Sequence, residues 1–266
     1  MKRIPYYIYL IIFGSLFLVG CEDFLDINKD PKAASSDQVQ VEYFLNNSIT
    51  GAQMDPHVAE RAFVLYWKIA ARQWRGNGAL ATGGYDDSWS GDYYGYLSDW
   101  LKSANAAITV ADDKIQNNNT YPYTENLKQV ARIWRVYLMS EFADNFGPMP
   151  IDGFQGTNPE FVDVKTAYYF MLDELRDAVG KLDVTVTNPP DLQKYDKAYG
   201  FDYMKWKKYG NAMRLRLAMR ISEVDAAKAK QEFEAAASSD LLLEWNETFK
   251  VAERPGWDPR SGVMTR

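Results

Sequence analysis

Cysteine and histidine are almost absent from this chain. Its 266 residues hold one of each, Cys21 and His57. No intramolecular disulfide can form, no Cys/His zinc cluster can assemble, and a Cys-His dyad would require these two residues to meet. A surplus of positive charge is missing too. Thirty Lys and Arg face 36 Asp and Glu, which argues against nucleic acid as a partner, because phosphate binding needs cations that displace counterions. What is present suffices for a core. The chain is 47% hydrophobic and 15% aromatic, with 25% charged residues, the balance of a globular protein of one large domain or two modest ones.

The longest uncharged run is at the start. Met1-Lys2-Arg3 precedes Ile4 to Gly20, which contains no charge. A basic n-region followed by a short apolar run reads as a signal peptide over residues 1–20. A permanent membrane anchor is the alternative, and it would need about 20 apolar residues. Leu18-Val19-Gly20-Cys21 resembles the lipobox of bacterial lipoproteins. That resemblance implies cleavage before Cys21 and acylation of the cysteine, with outer-membrane lipid holding the chain through several acyl chains at about 0.8 kcal/mol per buried CH₂. Loss of Lys2 and Arg3 with the leader would leave 28 bases against 36 acids, a net charge of −8. Residues 21–39 read as a lipidated tether. The acids Glu22, Asp23 and Asp26 resemble the signal that sends some lipoproteins to the cell exterior, or else simply keep the tether solvated.

From residue 40 onward the apolar residues step by three and four. Such faces run through Val41, Leu45 and Ile49; Ala62, Tyr66 and Ile69; Leu101, Ala104, Ile108 and Ala111; Leu127, Val130, Trp134 and Phe142; Tyr168, Leu172, Leu175 and Val179; and Trp206, Met213 and Leu217. Asn117-Asn118-Asn119 stops one helix, and Gly147-Pro148 ends the next. Asp163 and Asp225 read as N-caps, the latter opening a helix with Ala229, Phe233 and Ala236 on one face. Only Asp183-Val184-Thr185-Val186-Thr187 alternates with period two. The fold class predicted is mainly α, tetratricopeptide-like helical hairpins with long irregular loops. One such loop is expected between Gly76 and Tyr96, where six glycines alternate with tyrosines and a tryptophan.

Three segments carry a wider resemblance. Leu18 to Asp26 followed by Asn28-Lys29-Asp30-Pro31, then Ala143-Asp144-Asn145-Phe146-Gly147-Pro148-Met149-Pro150, then Trp206 through Ser222 with its Leu215-Arg216-Leu217-Ala218-Met219-Arg220, resemble in order and spacing the SusD/RagB family of outer-membrane lipoproteins. The resemblance implies a surface protein without a cofactor that captures a nutrient, glycan or peptide, and passes it to a TonB-dependent transporter of the SusC type. Family members are usually nearly twice this length. The helical domain over 40–266 is therefore expected to be cut short at its C-terminus, where the family places part of its ligand site.

Sugar rings offer flat C–H faces that stack on aromatic rings, and their hydroxyls need donors and acceptors together. Trp74, Arg75, Asn77, Tyr85, Asp86, Trp89, Tyr93 and Tyr94 supply that mixture within one stretch and are the candidate ligand residues. The same aromatics could equally pack the stretch onto the helices. Asp86, Asp87 and Asp92 match no calcium-loop pattern, and solvation accounts for them; no metal is predicted. Trp134 and Trp206 fall in step with apolar neighbours and read as core. Arg214, Arg216 and Arg220 read as a solvated or ion-paired helix face. Two other classes stay open: a helical scaffold for protein partners, and a helical glycosidase, which would need two paired carboxyls that no segment singles out.

Overall fold

Apolar periodicity becomes seven helices and one 3₁₀ turn among the described residues. The computed structural model describes residues 38–52, 71–73 and 87–251. The helices are α1 (Val41–Gly51), α2 (Asp87–Gln116), α3 (Thr124–Phe146), α4 (Val164–Lys181), α5 (Pro190–Gln193), α6 (Tyr203–Arg220) and α7 (Ala226–Ala237), and the 3₁₀ turn is Trp245–Glu247. Helices α1, α2 and α3 each pack on the next in the chain; α4 packs on α6, and α6 on α7. Helix α6 also reaches α3, so the hairpins enclose a shared core.

The ends of the helices are written locally. Asp163 caps α4 by accepting from the Thr166 amide at 2.7 Å, and Asp225 caps α7 by accepting from Lys228 at 3.0 Å. Helix α2 ends at Gln116, with Asn118 at φ +52°, a conformation that asparagine tolerates better than most residues. Gly147 stops α3 at φ +81° and ψ −126°, which is open to glycine and closed to residues with a side chain. The Asp183–Thr187 alternation is not a strand; it forms a turn, in which the Asp183 carboxylate binds the Thr185 amide and hydroxyl. The one β-like pairing among the described residues is an isolated bridge between Met149 and Val162.

The expected loop up to Tyr96 needs correction: α2 already begins at Asp87. Tyr93, Leu97, Trp100, Leu101 and Ala104 fall on one face and are buried, and that burial outweighs the cost of two glycines. Gly91 and Gly95 sit on the opposite, exposed face, with nothing within 4 Å of where a Cβ would be. Gly95→Ala is therefore expected to stabilise the chain by about 0.5–1 kcal/mol, and the double change with Gly91→Ala by about twice that, measured by urea unfolding.

Polar groups inside the core are paired across helices. Ser48 of α1 donates to the Trp100 carbonyl at 2.8 Å and accepts from Trp134 Nε1 at 2.9 Å, tying α1, α2 and α3. Trp134 and Trp206 are core residues as predicted, 2% and 0% exposed. Arg132 grips Glu174 with Nε and Nη2 at 2.9 and 2.7 Å, and Arg135 pairs with the same carboxylate, joining α3 to α4. All three arginines of the expected solvated or ion-paired face are ion-paired, and Arg214 differs from the other two in its burial. It is buried and pairs with Glu232 of α7 at 2.8 Å, while Arg216 and Arg220 remain half exposed. The inward residues of α7 are Ala229 and Ala236, as expected, with Glu232 between them, whereas Phe233, also expected on the packed face, is 39% exposed.

Candidate functional site

Trp74, Arg75, Asn77, Tyr85 and Asp86 lie outside the described residues, as do Cys21, His57 and the expected helix with Ala62 and Tyr66. Trp89 belongs to the first turn of α2, one helical turn before Tyr93. Helical phase separates the two tyrosines that follow. Tyr93 is buried, with its ring 6.1 Å from Phe146 and its hydroxyl 3.5 Å from a Glu141 carboxylate oxygen. Tyr94 meets Phe142 and Phe146 edge-on at 5.0 and 5.2 Å and keeps over a third of its surface in solvent.

Glu141 joins this end of α2 to α6. One carboxylate oxygen faces Tyr93 and the other lies 3.5 Å from Arg216 Nη2. Burial pushes the Glu141 carboxyl above its ordinary range; Arg216 opposes that shift and Asp144 adds to it. Beyond Arg216 opens a cleft of about 570 Å³ between α6 and residues 242–249, where Met213, Glu244, Trp245 and Thr248 contribute walls.

The cleft has a firmly held edge. Phe249 stacks on Trp134 at 5.4 Å and 9° and lies 5.0 Å from Tyr209. Tyr199 donates to the Glu247 carbonyl at 2.9 Å, Lys208 pairs with the Glu247 carboxylate, and Asn211 donates to the Asp240 carbonyl at 2.9 Å. On this anchored turn the Trp245 side chain is 90% exposed and Leu243 81%. Two large apolar side chains exposed on one anchored turn make this the candidate contact surface, and Arg216 and Glu244 beside it supply a hydrogen-bond donor and an acceptor. Sequence reasoning passed over Trp245. The available signal was a tryptophan among polar residues, Glu244-Trp245-Asn246-Glu247, outside any apolar period.

One helical turn further along α3 and α6 lies a second cleft, of about 640 Å³. Asp144 pairs with Arg220 at 2.7 Å; the Tyr168 hydroxyl donates to Asp144 at 2.5 Å and accepts from Arg220 Nε at 2.8 Å. Burial, with the Asp144 hydrogen bond next, pushes Tyr168 up to about 12, so it stays protonated at neutral pH. Among the described residues no group of three His, Cys, Asp or Glu side chains could hold a metal ion, and no helix is long and apolar enough to cross a membrane.

Stacked helix hairpins with clefts along one helix face form a helical scaffold of a known family. The family described as SusD-like, Susd and RagB outer membrane lipoprotein, matches residues 26–257. The chain belongs to that family, whose class is the outer-membrane lipoprotein. A SusD homologue from Parabacteroides distasonis is 28% identical and superposes with a TM-score of 0.66 over 76% of this chain. A chitin-binding protein is 23% identical with a TM-score of 0.68 over 79% of this chain, and a chitin-binding SusD homologue from Flavobacterium johnsoniae is 23% identical with 0.62 over 79%. The chain spans 39%, 45% and 44% of the lengths of these three proteins. No curated protein matches the sequence.

Proposed function

We propose that this chain captures a neutral oligosaccharide at the cell surface and passes it, uncleaved, to a TonB-dependent transporter. One observation carries the reading: Trp245 stands 90% exposed on an anchored turn beside Arg216 and Glu244. A pyranose can stack its C–H face on that ring while its hydroxyls reach the guanidinium and the carboxylate. Two similar proteins are described as chitin-binding, which supports a glycan over a peptide. Trp74, Arg75, Asn77, Tyr85, Asp86, Trp89 and Tyr94 are proposed as further ligand contacts; buried Tyr93 would position Glu141 rather than touch sugar. Anchoring through Cys21 would keep the chain beside the transporter, and moderate affinity would let the sugar leave for it.

Calorimetry on the full chain in a sugar-free detergent, against chitin, malto- and cello-oligosaccharides and peptides, tests this. Trp245→Ala and Trp74→Ala are each expected to weaken glycan binding about 5- to 150-fold, equivalent to about 1–3 kcal/mol. Release of shorter fragments, abolished by Glu141→Gln, would replace this reading with the glycosidase. Unchanged affinity in both tryptophan variants would remove the aromatic surface from the account.

A further inference from the structure

The second cleft holds a donor and an acceptor side by side with no ligand role yet assigned to them. Nε and Nη2 of Arg220 are engaged by Tyr168 and Asp144, which fixes the guanidinium plane. Its other amino group, and the second oxygen of Asp144, have no hydrogen-bond partner among the described residues. A fixed N–H beside a fixed carboxylate oxygen is the pair that two neighbouring sugar hydroxyls require, one accepting and one donating.

Tyr169 adds a second aromatic ring to the lining. The Tyr169 hydroxyl donates to Asp225, and Lys165 and Lys228 lie over its ring at 5.4 and 5.6 Å. Lys165 has no ion pair among the described residues. Val224, 84% exposed, and Val164 add apolar surface at the rim. Formal charge of the lining cancels, with Asp144 and Asp225 against Arg220 and Lys165, while Lys228 is neutralised by Glu232. An anion would face two carboxylates and a cation two bases, so the lining suits a neutral, hydroxyl-rich ligand. A volume of about 640 Å³ lies within the range of small-ligand sites.

We propose that this cleft, formed by Asp144, Tyr168, Tyr169 and Arg220, is a second saccharide subsite that takes one or two units of a neutral glycan. It rests on the reading that the ligand is a glycan. Glu141 and Asp144 are three residues apart on α3, and Arg216 and Arg220 four apart on α6. The two acid-arginine pairs are therefore successive rungs of one helix-helix seam. A chain of several sugars can lie along that seam, with Trp245 at one end and Tyr169 at the other.

The test uses the full chain in sugar-free detergent, with chitohexaose and maltohexaose as probes in calorimetry and with N,N′-diacetylchitobiose and maltose in saturation-transfer difference NMR. Val224→Arg adds bulk at the rim of the cleft from a solvent-exposed turn and should leave the melting temperature unchanged. It and Arg220→Gln are each expected to weaken hexamer binding at least five-fold. Val224→Arg is also expected to remove the disaccharide signal that persists in Trp245→Ala. If hexamer affinity survives Val224→Arg and Arg220→Gln but falls in Trp245→Ala, the second subsite is overturned and the first surface stands. A hexamer that weakens only in Arg220→Gln, with a lowered melting temperature, also overturns it. Folded wild-type chain that binds none of the probes overturns both.

Discussion

Asp196→Ala is expected to remove about 4–5 kcal/mol of folding free energy. Asp196 is 4% exposed, and its carboxylate is the hub of the segment between α5 and α6. One oxygen accepts from the amides of Ala198 and Tyr199 at 2.9 and 3.2 Å. The other accepts from the Phe201 amide at 2.8 Å and from Trp206 Nε1 at 2.7 Å. Gly200 and Phe201 both sit at positive φ, +61° and +58°, so the segment holds a conformation that a free chain would leave. Alanine would strand four donors, of which the indole N–H belongs to the fully buried Trp206. Each hydrogen bond to a charged group is worth about 1.5–3 kcal/mol and the four are not additive, hence the total. Thermal unfolding should fall by about 10–15 °C at this chain length. Asp196→Asn keeps one acceptor oxygen and sets an amide against the remaining donors, so about half the loss is expected. A loss below about 1 kcal/mol for the alanine variant would mean that aromatic packing of Trp206 against Tyr199, Tyr209 and Phe249 holds the segment unaided.

Asp196 also shows why parts of this fold were legible in sequence and parts were not. Helix phase is a local property: the stripes from Leu127 to Phe142 and from Tyr168 to Val179 lie in the order in which they pack, and the caps at Asp163 and Asp225 bind amides three residues away. Gly91 and Gly95 misled for the same reason. Read locally, glycine breaks a helix; here both face water while Tyr93, Leu97 and Trp100 on the other side supply the burial. Charges that pair at long range leave no local trace, so Arg214 resembled its exposed neighbours Arg216 and Arg220, and Phe233 rather than Glu232 looked like the inward partner of Ala229 and Ala236 on α7. The candidate site divided in the same way. The tyrosines were visible as a cluster, but the roles of Tyr93 and Tyr94 depended on helix phase, and Trp245 joined the site through the distant contacts of Phe249 and Glu247.

The Arg214–Glu232 pair leads to the second large effect. Both side chains are nearly enclosed, 6% and 2% exposed, and Lys228 and the half-exposed Arg176 also reach the Glu232 carboxylate, at 2.9 and 3.0 Å. Glu232→Leu leaves the Arg214 guanidinium buried without its partner, and a loss of about 3–5 kcal/mol is expected. The double variant Arg214→Met, Glu232→Leu should recover most of it, because an apolar pair of similar volume removes both desolvation penalties at once. Urea unfolding of the wild type, the two single variants and the double variant closes the cycle; a double variant no more stable than Glu232→Leu would refute the account. Acid adds an independent check. Burial alone would raise the Glu232 carboxyl, but hydrogen bonds from Arg214 and Lys228 hold it below its ordinary 4.5. A carboxyl whose folded pKa is depressed contributes stability that is complete above its unfolded value and is lost as pH falls through the folded one. Glu174, paired with Arg132 and Arg135, has the same sign, whereas buried Glu42 and Glu141 are shifted upward and become less unfavourable in acid. The wild type should therefore lose the Glu232 contribution below about pH 4.5, and the double variant, which has no such carboxyl, should show a shallower decline over the same range.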